Sequence, residues 1–255
     1  MTGPLFTGVA VALITLFDSD GEVDAKATGE HAATLVDLGV RAVVVAGSTG
    51  EAATLADAER VDLLAEVRQA VPSGTPVLAG TGASSRRQAV TLTRAAVAQG
   101  ADGVLTLSPP RSVDLLGYYQ AVADAAGDVP VLAYHYPLAS APGIPVDLLG
   151  ELPVQGVKDS SGDPNRLLEE LTSYNGWLYV GSSALLALAG PLGANGAILA
   201  LANAEPEKCV AAFTGDADAQ LAVAKAHLAI RRDFPHGLKA VVADRFGTSR
   251  VARFG

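Results

Sequence analysis

Along this chain, short apolar runs rich in Val, Ile and Leu alternate with longer Ala-rich stretches whose polar residues recur at helical spacing. The apolar runs are Val9–Phe17, Ala42–Ala46, Pro76–Ala79, Gly103–Leu107, Val129–Tyr134, Val154–Lys158, Leu178–Val180 and Ala197–Leu201. Most show no polar alternation, so both faces of each strand must be covered, as in parallel sheets flanked by helices. Helices are expected between them at about 24–38, 56–70, 84–98, 112–126, 146–151, 163–173, 183–189 and 205–214. Ser84 and the pair Asp163-Pro164 read as helix starts, because a short polar side chain caps free N–H groups and proline suits the first turn. Gly39 after Leu38 and Gly100 after Gln99 read as stops.

Eight such alternations joined by mostly short loops predict an α/β fold, a closed (β/α)8 TIM barrel. The competing arrangement, a doubly wound open sheet, usually carries a glycine-rich loop after its first strand. Here that place holds Phe17-Asp18-Ser19-Asp20-Gly21. From about residue 216 the pattern is helical only. The expected organisation is a catalytic barrel over 1–215 and a short C-terminal helical region over 216–255.

Composition narrows the picture. The chain is 49% apolar but only 5% aromatic, so its core must be built mainly from Ala, Val and Leu. A net charge of −9 repels a phosphate backbone, and the cations are scattered singly or in pairs such as Arg231-Arg232, which argues against nucleic acid. Cys209 is the single cysteine, which excludes an intrachain disulfide, fits a reducing cytoplasm and reads as a small buried hydrophobe. Val9 to Phe17 follows no basic residue and is too short to span a bilayer, so neither a secretory leader nor a membrane span is expected.

In barrels of this kind the chemistry sits at the carboxyl ends of the strands. Of the five lysines, only Lys158 ends an apolar strand; Lys26, Lys208, Lys225 and Lys239 fall on helices or in the C-terminal region. A lysine held away from water loses its proton more easily, and a neutral amine can attack a ketone carbon to form an imine. The bland alternatives are a side chain that reaches solvent or pairs with Asp159. Tyr134 ends the neighbouring strand, where a phenol can relay a proton or simply fill the core. Gly47-Ser48-Thr49-Gly50 is a small-residue turn whose N–H and hydroxyl groups suit a carboxylate. His31, His135, His227 and His236 show no metal-ligand spacing, and His31 and His227 are expected away from the barrel mouth. No metal and no cofactor are expected.

Several segments together resemble the dihydrodipicolinate synthase / N-acetylneuraminate lyase family of class I aldolases. They are Gly47-Ser48-Thr49-Gly50-Glu51 with Thr54-Leu55 and Glu59, Val77 to Gly82, Gly100 to Gly103 leading to Ser108-Pro109, Tyr134-His135-Tyr136-Pro137, Gly156 to Asp163, and Gly193 to Gly196 with Asn203 and Pro206. They run in family order over nearly the whole chain. The resemblance implies that Lys158 forms the imine with a 2-oxo acid such as pyruvate and that Tyr134 is the acid and base. It also implies that Gly47, Ser48 and Thr49 hold the carboxylate, with the backbone at Ile198 beside the bound acid.

Two departures bear on the second substrate. Ala139 stands where the synthases carry an arginine for a substrate carboxylate, and Pro109-Pro110-Arg111 replaces the segment that carries their relay tyrosine. The expectation is therefore a lyase joining or splitting pyruvate and an aldehyde, closer to the lyase branch, with Arg111 and Tyr136 as candidate contacts to the second substrate. A synthase-like condensation, a non-catalytic 2-oxo-acid-binding barrel and a metal-dependent lyase are the alternatives. A homo-oligomer, dimer or tetramer, is expected.

Overall fold

The computed structural model describes residues 3–254. Its strands are β1 (Gly8–Ala12), β2 (Ala42–Val45), β3 (Val77–Gly80), β4 (Gly103–Leu107), β5 (Val131–His135), β6 (Gly156–Asp159), β7 (Trp177–Val180) and β8 (Gly196–Leu199). They pair in parallel and in sequence order, and β8 closes the ring onto β1. The helices are α1 (Ala25–Asp37), α2 (Asp57–Ala70), α3 (Arg86–Ala98), α4 (Leu115–Ala126), α5 (Pro164–Ser173), α6 (Leu186–Ala189), α7 (Pro206–Phe213), α8 (Ala217–Ile230) and α9 (His236–Phe246). The closed (β/α)8 barrel read from the alternation is the fold.

Three local expectations need correction. The first strand stops at Ala12 rather than Phe17, because the N–H groups beyond Leu13 find side chains instead of a neighbouring strand. Ile14 N–H donates to the Asn203 side-chain oxygen at 3.0 Å, and Leu16 N–H to the Thr28 hydroxyl at 3.0 Å. No helix forms over 146–151; with Pro145 before it, Gly150 within and Pro153 after, this stretch makes only turns, Leu149 N–H reaching Val146 O and Glu151 N–H reaching Leu148 O. The cap of α3 is Ser85, not Ser84, its hydroxyl accepting the Gln88 N–H at 3.2 Å. Asp163 caps α5 as expected, and Gly39 and Gly100 follow α1 and α3 with φ of 102° and 84°.

Alternation along the strands sorts the core into two layers. Leu132 and Tyr134 of β5 face into the barrel with Leu78, Leu105 and Ile198, while Ala133 and Val157 face the helices. Aromatic groups fill the end away from the strand carboxyl termini. Phe6 stacks on Tyr179 with centroids 4.5 Å apart, and the Tyr179 hydroxyl donates to Phe6 O at 3.1 Å. Cys209 of α7 is fully buried against the outer layer. Among the described residues, no helix is long and apolar enough to cross a membrane.

Candidate active site

All four residues of β6 are buried, and the period of two sends Lys158 inward and Asp159 outward. This geometry decides between the readings of the lysine. Asp159 accepts from the Ser161 N–H and the Ser161 hydroxyl, each at 2.8 Å, and lies 3.7 Å from Arg166 on the helix side. Among the described residues no carboxylate lies within ion-pair distance of Lys158, which is 4% exposed. Burial without a counter-charge lowers its pKa to about 7, so at neutral pH a large share of the side chain is free amine. Gly181, just after β7, makes the space: a Cβ there would collide with the Ser160 hydroxyl and lie 3.0 Å from Lys158 Cε.

Tyr134 is the register partner of Lys158 across β5 and β6, and the lysine Nζ stands 4.3 Å from its ring centroid. Burial pushes the phenol up to about 12, with the Ser160 and Ser48 hydroxyls beside it drawing the value back. The group is therefore protonated at neutral pH and can give a proton before it takes one. Tyr136 stacks on Tyr134, centroids 5.8 Å apart and planes 10° from parallel.

Ser48 and Thr49 lie on a tight turn after β2. Gly50 is required there, since a Cβ would lie 2.9 Å from Leu13 O, and Gly50 O accepts the Thr15 hydroxyl at 2.7 Å. Glu51, in the left-handed region at φ 56°, anchors the turn from below. Its fully buried carboxylate pairs with Lys239 Nζ at 2.5 Å and accepts the Arg253 and Phe254 N–H groups at 2.8 and 3.0 Å.

These groups surround a cavity of about 360 Å³ lined by Lys158, Tyr134, Ser48, Thr49, Tyr136 and Ile198. A larger one of about 500 Å³ shares Ser48 and Tyr134 but contains no lysine; Gly47, Ala139, Pro109 and Pro110 lie there. Lys158 and Tyr134 line the smaller cavity together, so it is the candidate site. Gly47 therefore shapes the turn rather than lining the lysine's cavity.

Two expectations change. Arg111 is exposed and lines neither cavity; its backbone N–H is tied to Ala141 O at 2.8 Å. His227, expected away from the mouth, lines the lysine's cavity and shares a 2.9 Å hydrogen bond with the Ser183 hydroxyl. The sequence reading also passed over Ser160, Gly181 and Arg231. Ser160 stands within the Gly156 to Asp163 segment and Gly181 directly follows the Leu178–Val180 run, whereas nothing in the sequence ties residues 227 and 231 to the barrel mouth. His135 faces outward and accepts the Ile144 N–H at 2.8 Å, an ordinary structural role. Among the described residues, no group of three or more His, Cys, Asp or Glu is placed to hold a metal ion.

Comparison with known proteins identifies the family and agrees with the fold. The 4-hydroxy-tetrahydrodipicolinate synthase of Methanosphaerula palustris is 34% identical over 222 residues, 82% of this chain and 76% of that protein. The crystal structure of dihydrodipicolinate synthase from Aquifex aeolicus matches with a TM-score of 0.89 at 28% identity, covering 98% of this chain and 91% of that one. The chloride-inhibited dihydrodipicolinate synthase from Acinetobacter baumannii, complexed with pyruvate, matches with a TM-score of 0.86 at 26% identity, covering 98% and 94%. The sequence pattern of the dihydrodipicolinate synthetase family spans residues 5–239, nearly the whole chain, and the protein is a member of that family.

Proposed function

We propose that this protein is a class I aldolase that uses Lys158 to form an imine with pyruvate or a similar 2-oxo acid, and that it splits or forms a hydroxylated 2-oxo acid. The observation that carries the reading is a buried lysine with no counter-ion among the described residues, its pKa lowered to about 7, beside a protonated phenol in register on the adjacent strand.

The neutral Lys158 amine attacks C2 of the 2-oxo acid, and Tyr134 donates the proton that lets the carbinolamine lose water. The resulting iminium draws electrons from the neighbouring carbon. In the cleavage direction the Tyr134 phenolate takes the proton of the C4 hydroxyl as the C3–C4 bond breaks. The electron pair moves into the C2–C3 enamine and the aldehyde leaves. Protonation at C3 and hydrolysis of the imine return Lys158 and release the 2-oxo acid. Ser48 and Thr49 hold the carboxylate, which fixes C2 against the lysine.

The curated relatives are named as synthases, which favours condensation. Ala139, where the resemblance expects an arginine for a substrate carboxylate, argues against the synthase's own second substrate, and we favour the lyase reading. The test is exchange of the pyruvate methyl protons with deuterated water, followed by NMR. The wild type is expected to catalyse exchange through the enamine, and Lys158→Ala to lose it. Equal exchange by both proteins contradicts the assignment.

A further inference from the structure

The far wall of the lysine's cavity comes from outside the barrel. Gln220 and His227 of α8 lie seven residues apart, two helical turns, and so share one face of the helix. Both hold the segment after β7: Gln220 Nε2 donates to Ser183 O at 3.0 Å, its Oε1 accepts the Ala187 N–H at 2.8 Å, and His227 bonds the Ser183 hydroxyl. Arg231 follows His227 by four residues, at the end of the same face, and lines the cavity with Tyr136 and His227.

Among the described residues no aspartate or glutamate lines that cavity, whereas the Arg231 guanidinium does, beside the Lys158 amine and a His227 imidazole whose pKa burial lowers. An acid-free lining stands against the net charge of −9 carried by the chain as a whole. Among the described residues Arg231 has no carboxylate within 4.0 Å, a state it shares with most of the chain's arginines, and it is the arginine that lines this cavity. A guanidinium left free at the rim of an acid-free cavity is a ready partner for an oxyanion. Ser48 and Thr49 already serve the 2-oxo acid's carboxylate in the reading above, so the group that meets Arg231 belongs to the other substrate.

We propose that Arg231 is a specificity-determining residue and that the second substrate is an aldehyde ending in an oxyanion, a carboxylate or a phosphate monoester. Tyr136 and the Ser183–His227 pair line the same wall and suit hydroxyl groups between the aldehyde carbon and that end. The inference rests on the imine reading and names the substrate class of the same site.

The test is condensation with pyruvate of three aldehydes: glyceraldehyde, glyceraldehyde 3-phosphate and 4-oxobutanoate. The wild type is expected to favour one charged aldehyde over neutral glyceraldehyde by about tenfold or more in kcat/KM, and which one it favours separates phosphate from carboxylate. Arg231→Gln should erase about that factor, chiefly through KM, leave glyceraldehyde within about twofold, and be partly rescued by Arg231→Lys. Arg232→Gln, at an exposed neighbour that does not line the cavity, should change nothing. No preference for either charged aldehyde, or an equal loss on all three with Arg231→Gln, overturns the proposal. Borohydride trapping of pyruvate alone separates the two levels: an undiminished adduct in Arg231→Gln with no charged-aldehyde preference sinks only the Arg231 role, whereas no adduct in the wild type sinks both.

Discussion

Lys158 Nζ stands 4.3 Å from the centre of the Tyr134 ring, one strand away and in register with it. An aromatic face favours the charged ammonium, yet burial outweighs it and lowers the pKa from 10.5 to about 7. The rate of imine formation with pyruvate should therefore climb as pH rises from about 6 to 8 and level off above. A midpoint near 10, measured by trapping rates across pH, would contradict the proposed free amine.

The same shift has a signed effect on stability. The folded state binds the Lys158 proton less tightly than the unfolded chain, so stability rises with pH between about 7 and 10.5. Lys158→Met should stabilise the protein by roughly 1–4 kcal/mol at pH 6, with the gain shrinking across that window. Urea unfolding at pH 6 and pH 10 measures it. A gain that grows with pH would reverse the argument.

Tyr134→Phe removes one hydroxyl and leaves the ring packed on Tyr136. Pyruvate should still form a reducible imine, more slowly, while methyl-proton exchange falls about 10²-fold or more. Undiminished exchange takes Tyr134 out of the mechanism.

Gly181→Ala places a methyl group against the Ser160 hydroxyl and beside Lys158 Cε. Trapping by borohydride should slow by at least about tenfold, since a displacement of about 1 Å is enough for such a loss. Circular dichroism should report an intact fold. An alanine variant that traps pyruvate normally would show that the lysine does not need this space.

Lys239 and Glu51 form a fully buried ion pair beneath the Ser48–Thr49 turn. Lys239→Met leaves the Glu51 carboxylate without its charge partner and should cost about 3–5 kcal/mol in denaturant unfolding. At temperatures where the variant stays folded, the apparent affinity for pyruvate should fall as the turn loosens. A loss below about 1 kcal/mol would mean that the Arg253 and Phe254 N–H groups alone suffice for the carboxylate.

Much of this was legible in the residues. The strands announce themselves because parallel strands are apolar on both faces, and Lys158 was found because it breaks such a run at the end where side chains meet a cavity. Tyr134 followed from the adjacent strand. What the sequence concealed depends on distance through space. His227 and Arg231 lie on a helix beyond the barrel, and only its docking through Gln220 and His227 brings them over the lysine. Arg111, close to a strand end in sequence, instead lies exposed outside both cavities. Turn chemistry hid the rest: prolines and a glycine around 146–151 erase the helix that the spacing of polar residues suggested.

The central claim is a single lysine that becomes covalently bound to a 2-oxo acid. Borohydride added with pyruvate, followed by peptide mass mapping, tests it most directly. One reduced pyruvate adduct on the peptide containing Lys158, absent in Lys158→Ala, is the predicted result. An adduct on another lysine, or none, would contradict the account.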